Sequence, residues 1–182
     1  MKKILGTTLV AMVLASGVMA GGAYIKGGVY NTEANLDTNP STTGYEVGFG
    51  GHGHFDEAGN ILFGGELNYG YQYFDLSSGA TSEMSFYGGE LHLGYTFIDD
   101  LDVFGIVGYY GNSIEYVFSN GSVDNLTGSG VRYGVGIDYR VWKHLSLGAE
   151  YTVTNFDMYN EVGASVGDFD LTNIGVNVKL HF

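Results

Sequence analysis

Apolar and polar residues alternate along most of this chain with a period of two. A β-strand needs that spacing to give its two faces different chemistry. The last segment is the clearest. Ile174, Val176, Val178, Leu180 and Phe182 share one face, and Asn173, Gly175, Asn177, Lys179 and His181 share the other. Val131, Tyr133, Val135, Ile137, Tyr139 and Val141 oppose Arg132, Gly134, Gly136, Asp138 and Arg140. Leu145, Leu147, Ala149, Tyr151 and Val153 oppose Ser146, Gly148, Glu150, Thr152 and Thr154. Further upstream, Ile61 to Gln72 and Tyr87 to Phe97 follow the same rule, with Glu66 and Glu90 on their polar faces. Tyr45, Val47, Phe49 and Phe55 oppose Glu46, Gly48, Gly50, His52 and His54. Ala23 to Tyr30 alternates loosely with Lys26 on the polar side, and Val103 to Tyr110 is apolar on both faces, so its sides are not assigned. Apolar positions do not recur at three and four, so a helical reading fails. Eight strands result.

Alternation does not say which face points inward. A soluble sandwich or barrel puts the apolar face inside, whereas a membrane barrel turns it to lipid. Three features favour the membrane. The polar faces carry glycine and isolated charges, which suit a crowded bore better than a water surface. Connections alternate in length, with Asn31–Thr43, Phe74–Ser82, Ser119–Gly130 and Asn155–Gly167 long. Asp56–Asn60, Ile98–Asp102 and Trp142–His144 are short, as periplasmic turns are. Aromatic residues gather near strand ends as expected of interfacial girdles: Tyr69, Tyr71, Tyr73 and Phe74, then Phe97, Tyr109, Tyr110 and Trp142. The predicted fold is therefore all-β, an eight-stranded antiparallel up-and-down transmembrane β-barrel in the bacterial outer membrane, with both ends in the periplasm.

The beginning of the chain fits export. Lys2 and Lys3 precede an apolar stretch from Ile4 to Leu14, and Val18 and Ala20 suit cleavage after Ala20. Residues 1–20 are read as a removed secretory signal and 21–182 as one barrel domain. Loss of Lys2 and Lys3 takes the net charge from −13 to −15. Such acidity argues against a nucleic-acid partner, which demands a basic patch. The chain has no cysteine, so no disulfide can hold the fold.

Trp142-Lys143-His144-Leu145-Ser146-Leu147-Gly148-Ala149-Glu150-Tyr151, with Gly134-Val135-Gly136-Ile137-Asp138-Tyr139-Arg140 before it, resembles the seventh-strand region of small OmpA/OmpX-like barrels. The alternation of Ile174, Val176, Val178 and Leu180 up to Phe182 looks like the terminal signal that the barrel-assembly machinery reads. The resemblance implies an outer-membrane location and eight strands; membrane lipids and lipopolysaccharide are the expected surroundings, and a monomer is the expected state. It does not imply one activity, because such barrels include structural proteins, adhesins, narrow channels and a few lipid-modifying enzymes. The sequence departs from full-length OmpA-type proteins in carrying no peptidoglycan-binding segment.

Nine charged residues fall on polar faces: Lys26, Glu46, Glu66, Glu90, Arg132, Asp138, Arg140, Glu150 and Lys179. The bore of an eight-stranded barrel only just holds side chains, so charges there must pair. A structural charge network is the favoured reading, and a narrow ion path is the alternative. His52 and His54 share a face, but two imidazoles without a third ligand make hydrogen bonding a better reading than a metal site. His144, Ser146 and Glu150 echo the elements of a lipid-modifying hydrolase, yet they fall at a periplasmic turn, so no catalytic site and no cofactor is assigned. The long connections, counting their rims, hold Glu33, Asp37, Asp75, Glu83, Glu115, Asp124, Asp157, Glu161, Asp168 and Asp170 and no Lys or Arg. They form an acidic surface for divalent cations or an unidentified ligand. The function read from the sequence is thus structural or surface-interacting rather than enzymatic.

Overall fold

The computed structural model describes residues 22–35, 41–54, 60–75, 81–98, 100–117, 122–160 and 162–182. The export signal and its cleavage site lie outside these residues, as do Asp37, Phe55 and Glu161. Eight strands follow in order: β1 Ala23–Ala34, β2 Ser41–His54, β3 Ile61–Asp75, β4 Thr81–Ile98, β5 Leu101–Val117, β6 Val123–Trp142, β7 Leu145–Asn160 and β8 Ser165–His181. Each pairs antiparallel with its neighbour in sequence, and β1 also pairs with β8, which closes the barrel. Closure removes the free edges that a membrane cannot solvate.

Alternation has the physical meaning expected of a membrane barrel. Val135, Val176 and Leu93 are 57%, 65% and 63% exposed on the outer wall, while Lys26, Glu66 and Lys179 are wholly buried in the bore. The unassigned segment of β5 resolves cleanly. Phe104, Ile106 and Tyr110 point inward, and Val103 and Val107 outward.

The long outer connections are a correction. Only residues 35–40, 76–80, 118–122 and 161–164 separate the strands at that end. The rest of those segments continues the strands, so β6 runs for 20 residues where a crossing needs about 9–11. Beyond the apolar band the polarity inverts. Phe156, Met158 and Leu171 turn inward and are buried, while Asn155, Asp157 and Asp168 turn outward. Glu33, Glu83, Glu115 and Asp124 therefore stand on strands as well, all exposed. Two aromatic assignments change with them. Phe74 and Tyr110 are buried in the bore rather than in the girdle, because they sit on inward positions. Tyr69, Tyr73 and Tyr87 face outward near the outer end, and Phe97, Tyr139 and Trp142 near the periplasmic end.

Candidate functional site

The bore has two storeys. In the lower one, β1, β2, β3 and β7 bring Glu46, Glu66 and Glu150 around one ammonium. Lys26 Nζ lies 3.0 Å from Glu46 Oε1 and 3.4 Å from Glu150 Oε2, and it also pairs with Glu66 Oε1. Arg132 reaches Glu46 Oε2 at 2.8 Å and Glu90 Oε2 at 3.8 Å. Its guanidinium stacks 3.8 Å from the ring centre of Tyr110. Lys179 Nζ pairs with Asp138 Oδ2 at 2.7 Å, between the rings of Tyr24 and Phe104. Three cations thus meet five carboxylates.

Arg140 does not join them, which corrects the expected balance of four bases to five acids. It is exposed at the periplasmic end of β6, where the register shifts between Arg140 and Trp142. There the bore opens to water, and a long guanidinium side chain gains more from solvent than from a desolvated partner.

Tyrosine hydroxyls do part of the work given to Arg140. Tyr24 donates to Glu66 Oε2 at 2.7 Å, Tyr30 to Glu150 Oε2 at 2.8 Å and Tyr110 to Glu90 Oε2 at 2.7 Å. Asn177 Nδ2 donates to Glu150 Oε1 at 2.9 Å. The signal for Tyr24 and Tyr30 was present in their even positions on the polar face of β1. Counting charges alone passed over them.

Glycine on the inward face now has a reason. Asn68, Asn112, Asp138 and Asn177 each bury an Oδ1 that receives no hydrogen bond. Asn68 Oδ1 stands against Gly48, Asn112 Oδ1 against Gly128, and the Asp138 and Asn177 oxygens against Gly148. A Cβ at any of these glycines would collide with the oxygens. Glycine lets the oxygens rest over a backbone Cα–H, a weak contact of about 0.5–1 kcal/mol.

The histidines gather toward the periplasmic mouth. His52 Nε2 lies 2.7 Å from His92 Nδ1, and His92 Nε2 lies 2.9 Å from Glu90 Oε1. His54, exposed, hydrogen-bonds Thr96 at 3.0 Å. No group of three metal-ligating side chains converges among the described residues. Ser146 Oγ lies 2.8 Å from His181 Nε2, His144 bonds the His181 carbonyl, and Glu150 belongs to the Lys26 cluster. His144, Ser146 and Glu150 therefore do not assemble into one site.

The upper storey is mainly apolar, with Gln72, Ser82 and Asn112 buried among its side chains. Phe74, Met84, Phe86, Ile114, Phe156, Met158 and Leu171 form one buried cluster inside the barrel, with Tyr116, Leu126 and Phe169 packed against it. This cluster, above the charges, escaped the sequence reading, which placed Phe74, Phe156 and Met158 in loops.

A family model for the outer membrane protein β-barrel domain matches residues 5–182. The chain belongs to that family. This outer-membrane barrel shares its fold with Ail, the attachment invasion locus protein of Yersinia pestis. The TM-score is 0.63 at 11% identity, over 90% of this chain and 100% of that one. Ail is also known in complex with the heparin analogue sucrose octasulfate. Neisserial surface protein A gives a TM-score of 0.64 at 14% identity, over 89% and 99% of the two chains. The N-terminal barrel of Pseudomonas aeruginosa OprF gives 0.53 at 14%, over 90% and 98%. No curated protein matches the sequence. The location is the bacterial outer membrane.

Proposed function

We propose that this barrel is a structural or surface-interaction protein with a closed bore, neither a solute channel nor an enzyme. The observation that carries the reading is the apolar cluster of Phe74, Phe86, Phe156 and Leu171 stacked above the charge network. An ion leaving the lower storey would have to shed most of its water against mainly apolar side chains, at a cost of several kcal/mol. In planar bilayers, purified barrel should give no nanosiemens steps. Regular steps in the intact protein would establish the narrow-channel alternative instead.

The outer wall supports the surface role. Glu33, Glu83, Glu115, Asp157 and Asp168 are exposed there. The basic residues of the described chain lie elsewhere: Lys26, Arg132 and Lys179 in the bore, Arg140 and Lys143 at the periplasmic end. Glu83 stands opposite Glu115, and Asp157 opposite Asp168, on neighbouring strands. Like charges so placed are destabilising alone and favour a cationic neighbour. The fitting partners are lipopolysaccharide phosphates bridged by divalent cations, or a cationic ligand. A sulfated polyanion of the kind bound by Ail does not fit this wall. Export belongs to the same proposal, and the intact mass of membrane-extracted protein should place its first residue at Gly21. Assembly through Ile174, Val176, Val178, Leu180 and Phe182 completes it, with Phe182→Asp expected to lower insertion.

A further inference from the structure

The wall facing the lipid carries a depression that neither the bore nor the outer surface explains. One cross-strand row runs Phe63, Leu93, Gly105, Val135, Tyr151 from β3 to β7, each residue opposite the next. Glycine stands at the middle of that row between large side chains. The next row places Val107 beside Tyr133. Together they border a groove of about 850 Å³, inside the roughly 300–1,000 Å³ of ordinary ligand pockets. His92, Ile106 and Gly134 also line it. They sit on inward positions, so they contribute backbone to its floor. Every outward side chain around it is apolar or a tyrosine.

Height and charge together name the occupant. On β4 the groove residue Leu93 lies between outward Tyr87 near the outer interface and Tyr95 and Phe97 near the periplasmic one, so the medium at the groove is hydrocarbon. On β6, Arg140 follows Val135 by five positions toward the periplasm, or roughly 17 Å along the strand. Strand tilt shortens that to less than one leaflet of a ~30 Å core. Lys143 lies in the adjoining turn, and both cations are exposed with no ion pair among the described residues. Asp100 and Asp102 flank the rim. The Asp102 carboxylate already accepts the Thr96 hydroxyl at 2.6 Å, and Asp100 is bonded to Arg140 only through its backbone carbonyl. At the other end the wall is acidic and would repel the phosphates of an outer-leaflet lipid.

We propose that this groove binds one acyl chain of an anionic phospholipid from the periplasmic leaflet, with Lys143 holding its phosphate. The tail fills the notch at Gly105, and the head fixes the orientation.

The test uses palmitoyl-oleoyl phosphatidylglycerol titrated onto the detergent-solubilised barrel, with bound lipid counted by native mass spectrometry. Gly105→Leu fills the groove without a clash, since a Cβ there meets nothing nearer than the Leu93 carbonyl oxygen at 3.7 Å. Gly27→Leu is the control, because a Cβ on that outward β1 glycine meets nothing within 4 Å. Wild type and Gly27→Leu should retain one phosphatidylglycerol. Gly105→Leu should lower the affinity about tenfold, the worth of roughly two buried methylenes. Lys143→Gln should abolish the preference over phosphatidylcholine. Heat-shifted gel mobility checks that each variant is folded, and Val107→Phe replaces Gly105→Leu if that one fails to fold. Wild-type retention by a folded groove-filling variant would overturn the proposal. So would preferential capture of lipid A, or a wild-type dimer that Gly105→Leu dissociates.

Discussion

Lys26 has no exposed surface and three carboxylates within reach, whereas Arg140, on the same kind of polar position, is in water. The two residues look alike in the sequence and should behave differently. Lys26→Met leaves Glu46, Glu66 and Glu150 crowded together without their cation. Removing one partner of a buried ion pair costs about 3–5 kcal/mol. Arg140→Ala disturbs only an exposed end and should stay within about 0.5 kcal/mol. Equilibrium unfolding in urea in lipid vesicles measures both, and equal losses would contradict the placement of Arg140. Among the glycines, Gly136 has no room for a side chain, because a Cβ there strikes the Phe104 ring. A serine at Gly136 should therefore be destabilising.

A single strand carries two environments. Along β7, Leu147 and Tyr151 face lipid while Glu150 and Thr152 face the bore. A few residues later Phe156 and Met158 fill the interior while Asn155 and Asp157 face water. β6 offers a direct test, since Val135 and Thr127 share its outward face on either side of this change. Val135→Arg puts a charge in hydrocarbon and should cost about 2–4 kcal/mol, whereas Thr127→Arg should cost about 0–1 kcal/mol, as near an interface. Comparing the two by the same unfolding assay tests the inversion, and similar losses would argue that the apolar band extends to Thr127. The inversion also explains why the outer segments look like loops in the sequence. Apolar residues exchange parity there, so a pattern searched for on one face breaks off, although the strand continues.

The whole molecule is a ring of eight strands in which each is bonded on both sides. Unfolding one strand exposes the edges of two others, so the barrel should open in one cooperative step. Unheated protein should therefore migrate differently from boiled protein on SDS gels, and a single mobility at both temperatures would contradict a closed ring. The charge network adds to this cooperativity, since Arg132 of β6 meets Glu46 of β2 across the bore.

Alternation, glycine on the polar faces and the aromatic strand ends were sufficient by themselves to define an eight-stranded outer-membrane barrel. They could do so because a period of two is a local property of the strand, and lipid on one side imposes it residue by residue. The same local rule put Lys26, Glu46, Glu66, Glu90, Arg132, Asp138, Glu150 and Lys179 on the inner face. Which charges pair, that Arg140 leaves the set, and that Tyr24, Tyr30 and Tyr110 join it depended on closure. Closure alone sets how strands far apart in sequence meet across the bore. The groove at Gly105 and the mainly apolar upper storey were likewise decided by tertiary structure. Each is a volume made by several strands at one height, and no single strand carries the information about its neighbours' register.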